Sequence, residues 1–242
     1  MVEQFTLEKV DGICLAPLDD TALVTYVKQA QDGGIPVLIF DSGLKYEDIV
    51  SFVATDNFAA GGVAGTEMAK LLGGKGKVVV LRYNEGSAST TERENGFIDA
   101  AKKGGLEIVS DEQFAGVDVE KAQKAGENLV SRFKSGAGVS FDGVFCPNES
   151  STFGMLRALQ VAGLAGNVKF VGFDASSKLL EALGAGEIDG LVVQNPRKMG
   201  GLAVRAIVGK VKGTDPEKRI DTGAAFVTKA NMGTDEIKKL LQ

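Results

Sequence analysis

Four side chains that make planar, two-sided hydrogen bonds stand at the ends of apolar, β-type runs. Asp41 follows Pro36–Phe40, Asn148 follows Gly143–Pro147, Asp174 follows Val168–Phe173, and Gln194 follows Leu191–Val193. An aspartate accepts two hydrogen bonds, whereas Asn and Gln both donate and accept. That set suits a neutral polyhydroxylated ligand, so the pattern predicts a sugar site and not a catalytic one. In an open parallel sheet, ligands bind in the crevice beyond the carboxyl ends of the strands, and the four groups are expected to converge on one cleft. Taken singly, each also reads as a turn former or helix N-cap. Asp174 does so most readily, because Ala175-Ser176-Ser177 follows it.

Composition excludes much else. None of the 242 residues is histidine, which removes His-based acid–base chemistry, Ser–His–Asp triads and most zinc sites. Neither a G-x-S-x-G elbow nor a C-x-x-C pair occurs. The Gly73-Gly74-Lys75-Gly76 turn lacks phosphate-loop spacing and precedes a strand rather than a helix. No enzyme, cofactor or metal is therefore expected. With a formal net charge of −5 and no basic run longer than two residues, no nucleic-acid partner is expected either. Cys14 and Cys146 sit in apolar strand runs and read as small buried hydrophobes rather than a disulfide. No apolar run of about 18 residues exists to span a membrane. Met1–Val10 lacks the basic start and apolar centre of a signal peptide.

The elements that must hold these residues alternate short apolar runs with longer amphipathic ones, the pattern of a parallel sheet with crossover helices. Strands are predicted at Gly12–Leu15, Val37–Phe40, Ser51–Ala54, Lys77–Leu81, Glu107–Val109, Gly143–Cys146, Lys169–Gly172, Gly190–Val193 and Ala224–Val227. Their Val/Ile/Phe-rich character without clean alternation fits strands covered on both faces. Pro196–Val211 carries Met199, Leu202, Ala203, Ala206 and Ile207 on one helical stripe. Thr91-Glu92-Arg93-Glu94 is a capping-box pattern that predicts a helix start there, with Arg93 in the first turn. Asp56–Asn57 reads as a hinge and cap rather than a ligand contact. Met1–Val10 reads as the last turns of a helix, which predicts further sequence upstream.

Several segments carry a family likeness by their order and spacing. They are Val10–Ile13 running into Ala16–Asp19, Gly34–Val37 ending at Phe40-Asp41, Thr55-Asp56-Asn57, and Glu92–Phe97. Val144–Glu149, Gly154–Leu159, Val171–Asp174 and Val193–Pro196 complete them. Together they resemble the periplasmic sugar-binding proteins of ABC importers, of the ribose-binding type, over essentially the whole chain. The resemblance implies an α/β fold of two Rossmann-like lobes with parallel sheets, the type I periplasmic binding protein architecture. The N-terminal lobe would comprise residues 1–56 plus 196–222, and the C-terminal lobe residues 57–195 plus 223–242. A monosaccharide would sit in the cleft between the lobes and be enclosed by hinge closure.

The same resemblance gives Asp41, Arg93, Asn148, Asp174 and Gln194 roles in binding sugar hydroxyls. Arg supplies a rigid donor fork and Asp supplies charge-assisted acceptors. Ser42, also assigned to the site, stands where ribose binders usually carry Arg, and Val117 where an aromatic usually stacks on the sugar. The expected ligand is thus a pentose, hexose or related polyol. The implied partners are a membrane permease and also a chemoreceptor, and the implied location is the periplasm or cell envelope. The family begins with a strand–helix–strand–helix that has no counterpart here, on the order of fifty residues. The first lobe is accordingly expected to lack its first strands, expose a sheet edge, associate, and bind sugar weakly alone. The effector domain of a LacI-type repressor shares the fold and is the alternative. The Asp11–Asp19 run and Phe226-Val227-Thr228-Lys229 look more like the transport proteins.

Overall fold

The structure, a computed structural model, describes residues 1–241. In chain order the elements begin α1 (Val2–Glu8), β1 (Ile13–Leu15), α2 (Val24–Asp32), β2 (Val37–Phe40), β3 (Phe52–Ala54), α3 (Asn57–Leu71) and β4 (Gly76–Val80). They continue with α4 (Ala88–Lys103), β5 (Leu106–Ser110), α5 (Val119–Arg132), β6 (Lys134–Ser135), β7 (Gly138–Val139), β8 (Gly143–Phe145) and α6 (Glu149–Val161). The last are β9 (Lys169–Phe173), α7 (Ser177–Ala185), β10 (Gly190–Gln194), α8 (Pro196–Val211), β11 (Arg219–Asp221), β12 (Ala224–Val227) and α9 (Asp235–Leu240). None of the described helices is long and apolar enough to cross a membrane.

The chain divides into two compact units, each with its own sheet and core. The first comprises Met1–Asp56, Gly86–Ser89 and Asn195–Gly223. Its sheet has the order β1-β2-β3-β11, parallel throughout. Val37 and Ile39 face a cluster with Val27 and Ala30 of α2, while Leu38 faces one with Met199, Ala203, Ala206 and Ile207 of α8. A strand buried on both faces has no polar alternate, which is why β2 reads as one apolar run. α8 opens on Asn195, whose side chain accepts from Lys198 N at 2.8 Å, with Pro196 in its first turn. The stripe expected from its 3.6-residue spacing is the face it buries, with Leu202 partly exposed.

The second unit comprises Asn57–Glu85, Thr90–Gln194 and the chain from Ala224 onward. Its six-stranded sheet has the order β12-β10-β9-β8-β4-β5. One face packs α3 and α4 through Ala60, Ala64, Met68, Phe97 and Ala101, and the other packs α5, α6 and α7 through Leu129, Met155, Leu159, Leu179 and Leu183. Phe97 stacks on Phe145 with centroids 4.2 Å apart and planes 5° from parallel. Both rings are fully buried, and each contributes about 2–3 kcal/mol of apolar burial.

Several features depart from the sequence expectations. β12 runs antiparallel to β10, with Gln194 opposite Ala224. A strand entering the sheet beside the end where β10 leaves it must run the other way. β11 and the β6–β7 hairpin were not anticipated: β11 is an edge strand of three residues, two of them exposed, and the hairpin strands have two residues each. Finally, α4 starts at Ala88, three residues before the predicted capping box, so Arg93 is not in its first turn. Ser89 and Thr90 are buried there, and packing overrides their modest helix propensity. The segment Gly86–Ser89, read from sequence as part of the second lobe, groups with the first unit, as do Asn195 and Gly223.

Candidate ligand-binding site

In the second unit, β8, β9 and β10 are neighbours, so their carboxyl ends lie side by side. Asp174 follows β9 directly and takes a left-handed backbone conformation, φ 67°. Its Oδ1 accepts Gln194 Nε2 at 2.9 Å, and its Oδ2 accepts the Glu149 backbone N–H at 3.2 Å. The cap of α7 is Ser176, so Asp174 is not the N-cap that its sequence context suggested. Gln194 is 9% exposed, and its Oε1 is buried without a hydrogen-bond partner. An orphaned buried acceptor costs about 1–3 kcal/mol, which a donor from a ligand hydroxyl would recover. Non-glycine residues rarely adopt positive φ, and such strain gathers at functional sites. Asp41 repeats the geometry at the end of β2 in the first unit, with φ 65° and its N–H on Val53 O at 3.0 Å.

Arg93 is brought to the same end of the sheet from α4. It is 3% exposed, so it is no surface helix residue. Nε donates to Asn57 Oδ1 at 2.8 Å and Nη1 to Pro147 O at 3.0 Å. The guanidinium carbon lies 4.0 Å over the Phe173 ring centroid. The residues gripping it, Pro147 and Phe173, immediately precede Asn148 and Asp174, so Arg93, Asn148, Asp174 and Gln194 form one group. Glycine brings the helix close enough: a Cβ at Gly61 of α3 would overlap the Arg93 carbonyl oxygen and lie 2.7 Å from its carbonyl carbon.

Asn148 is the N-cap of α6; its Oδ1 accepts Ser151 N at 3.2 Å in a reciprocal capping box, while Nδ2 donates to Ser150 Oγ at 3.3 Å. The cap reading and the ligand reading therefore fall on the same side chain. Ser42, in the first unit, is 5% exposed, and its Oγ accepts the Ser89 N–H in the first turn of α4 at 3.2 Å. Sequence reasoning missed Asn57, taken as a hinge cap, and Phe173, taken only as strand core. The available signals were the Gly61/Gly65 spacing on α3 and the aromatic immediately before Asp174.

Behind Arg93, Glu94 accepts Arg82 Nη1 at 2.8 Å and the Tyr83 N–H at 2.9 Å. Burial pushes the Glu94 carboxyl above its ordinary value of 4.5, against the opposing pull of Tyr83 N–H and Arg82. A folded-state value above the unfolded one means that the fold favours the protonated form. The group's contribution to stability is full below about 4.5 and declines as pH rises through the higher folded value. Glu94→Gln is expected to remove that decline. Urea midpoints from pH 4 to 7 check this: wild type should lose stability relative to the variant as pH rises, and parallel curves exclude it. Burial also pushes the fully enclosed Cys146 thiol well up, so it is an inert core thiol. Both cysteines are free.

Residues 1–215 match the family described as periplasmic binding protein domain. An ABC transporter solute-binding protein from Agrobacterium vitis with bound D-fucose superposes with a TM-score of 0.92 at 36% identity, over 100% of this chain and 83% of that one. A carbohydrate transporter solute-binding protein from Agrobacterium radiobacter, in complex with D-arabinose, gives 0.92 at 31% identity over 100% and 82%. A ribose import binding protein of Salmonella typhimurium is 29% identical over 228 residues, 94% of this chain and 75% of that protein. The two-sheet α/β architecture and the match along most of the sequence agree, and the chain belongs to the periplasmic binding protein family.

Proposed function

We propose that the protein is the substrate-binding component of a sugar ABC importer and takes a monosaccharide (a pentose, hexose or related polyol) as its ligand. The observation that carries this reading is the pairing of Asp174 with Gln194, whose Oε1 is buried and unpartnered, together with a guanidinium anchored at the end of β8. Sugar hydroxyls each donate and accept, so they can meet an orphaned amide oxygen, a carboxylate and an arginine fork together. Arg93, Asn148, Asp174 and Gln194 are assigned to these contacts, and Asp41 and Ser42, at the end of the first sheet's β2, to sugar binding as well. The protein is a carrier rather than an enzyme, and a membrane permease and a chemoreceptor are its proposed partners in the periplasm. The import proteins among its relatives favour this reading over a repressor's effector domain.

Isothermal titration with D-fucose, D-arabinose and D-ribose tests it. At least one should bind with a Kd between about 1 µM and 1 mM, about −8 to −4 kcal/mol. An absence of heat from all three, at protein concentrations that would reveal millimolar binding, rejects the sugar assignment.

A further inference from the structure

We propose that Asn57 is a positioning residue for the ligand-binding arginine, holding the in-plane orientation of the Arg93 guanidinium through its Nε. This inference rests on the sugar reading above. Asn57 is the first residue of α3 and is 1% exposed. The N-cap place of α3 belongs to the residue before it, Asp56, which leaves the Asn57 side chain available for a partner elsewhere. Here Oδ1 takes the Arg93 Nε–H at 2.8 Å, across 36 residues of sequence.

Three contacts on the arginine act on different freedoms of one side chain. Pro147 O, 3.0 Å from Nη1, holds the guanidinium at the end of β8. The Phe173 ring, 4.0 Å from Cζ, supports its face through a cation–π contact. An acceptor on Nε adds a second hydrogen bond in the guanidinium plane, which opposes turning of the group on the ring. Backbone contact between α3 and α4 sets the distance, because Gly61 lies against the Arg93 carbonyl and Gly96 of α4 against the Phe58 carbonyl. Asn57 and Arg93 therefore meet through two helices that cannot slide apart without breaking close packing. A rigid planar fork loses little entropy on binding, which is the advantage of arginine over lysine in such a place.

Titration of D-fucose, D-arabinose and D-ribose into wild type, Asn57→Ala and Asn57→Asp, with thermal midpoints alongside, tests the assignment. Asn57→Ala should weaken the tightest of the three about tenfold. Asn57→Asp keeps an acceptor on Nε and should stay within about threefold of wild type. A purely structural role predicts affinities that do not separate Ala from Asp once both are folded, and that result overturns the proposal. The Arg93 Nε–H resonance in wild-type protein provides a readout independent of any variant's folding. It should exchange slowly with solvent, and rapid exchange overturns the proposal. If wild type binds none of the sugars while that proton is protected, the ligand reading fails and the clamp stands; if sugars bind and the proton exchanges freely, the reverse holds.

Discussion

Arg93→Ala is expected to weaken sugar binding at least 100-fold. A hydrogen bond from a charged donor is worth about 1.5–3 kcal/mol, so two from the guanidinium to neighbouring hydroxyls sum to about 3 kcal/mol or more. The substitution also strands the Asn57 Oδ1 and Pro147 O acceptors, both of which Arg93 now satisfies. It should therefore cost stability too, about 2 kcal/mol, or roughly 4–8 °C in Tm for a chain of this size. Titration well below each variant's midpoint separates the two effects. Arg93→Lys sharpens the comparison: it keeps the charge but cannot serve Asn57, Pro147 and a ligand at once, so it should bind nearly as poorly as Ala. Wild-type affinity in a folded Arg93→Ala protein removes arginine from the site.

The strand ends were legible in the sequence because the chemistry changes there within one residue, from Phe40 to Asp41 and from Phe173 to Asp174. Strands buried on both faces leave no polar alternation, so a run such as Val37–Phe40 stands out with its observed bounds; Ala224–Val227, an edge strand, does so because all four of its residues are apolar. The direction of β12 was not legible, since a run of four apolar residues says nothing of where the chain re-enters a sheet. β11 offers only Arg219-Ile220-Asp221, with its single apolar residue half-buried. The capping-box pattern at Thr91 misled because its glutamate has a better use. Glu94 is drawn to Arg82 and the Tyr83 N–H, and α4 extends back to Ala88. The Asn57–Arg93 pair was hidden for a related reason: a short polar side chain at a helix start has a local explanation, and its partner lies far along the chain.

Gly61→Ala should be strongly destabilising although Ala is the better helix former, and Gly62→Ala, one residue on, should be stabilising. At Gly61 a Cβ would overlap the Arg93 carbonyl oxygen and sit 2.7 Å from its carbonyl carbon and 2.8 Å from its Cα. These are backbone atoms of α4, so no rotamer change relieves the clash and the two helices must separate. Overpacking of this kind costs about 3 kcal/mol or more, roughly 6–12 °C in Tm. At Gly62 the nearest atom is the Gly96 carbonyl oxygen at 3.9 Å, an ordinary contact, so Ala gains its helical advantage of about 0.5–1 kcal/mol. Separation of α3 from α4 also carries Asn57 away from Arg93, so any Gly61→Ala protein that folds should bind sugar as weakly as Asn57→Ala. Equal midpoints for the two alanine variants would mean that the α3–α4 contact yields, and that the arginine owes its place to the ring and the Pro147 carbonyl instead.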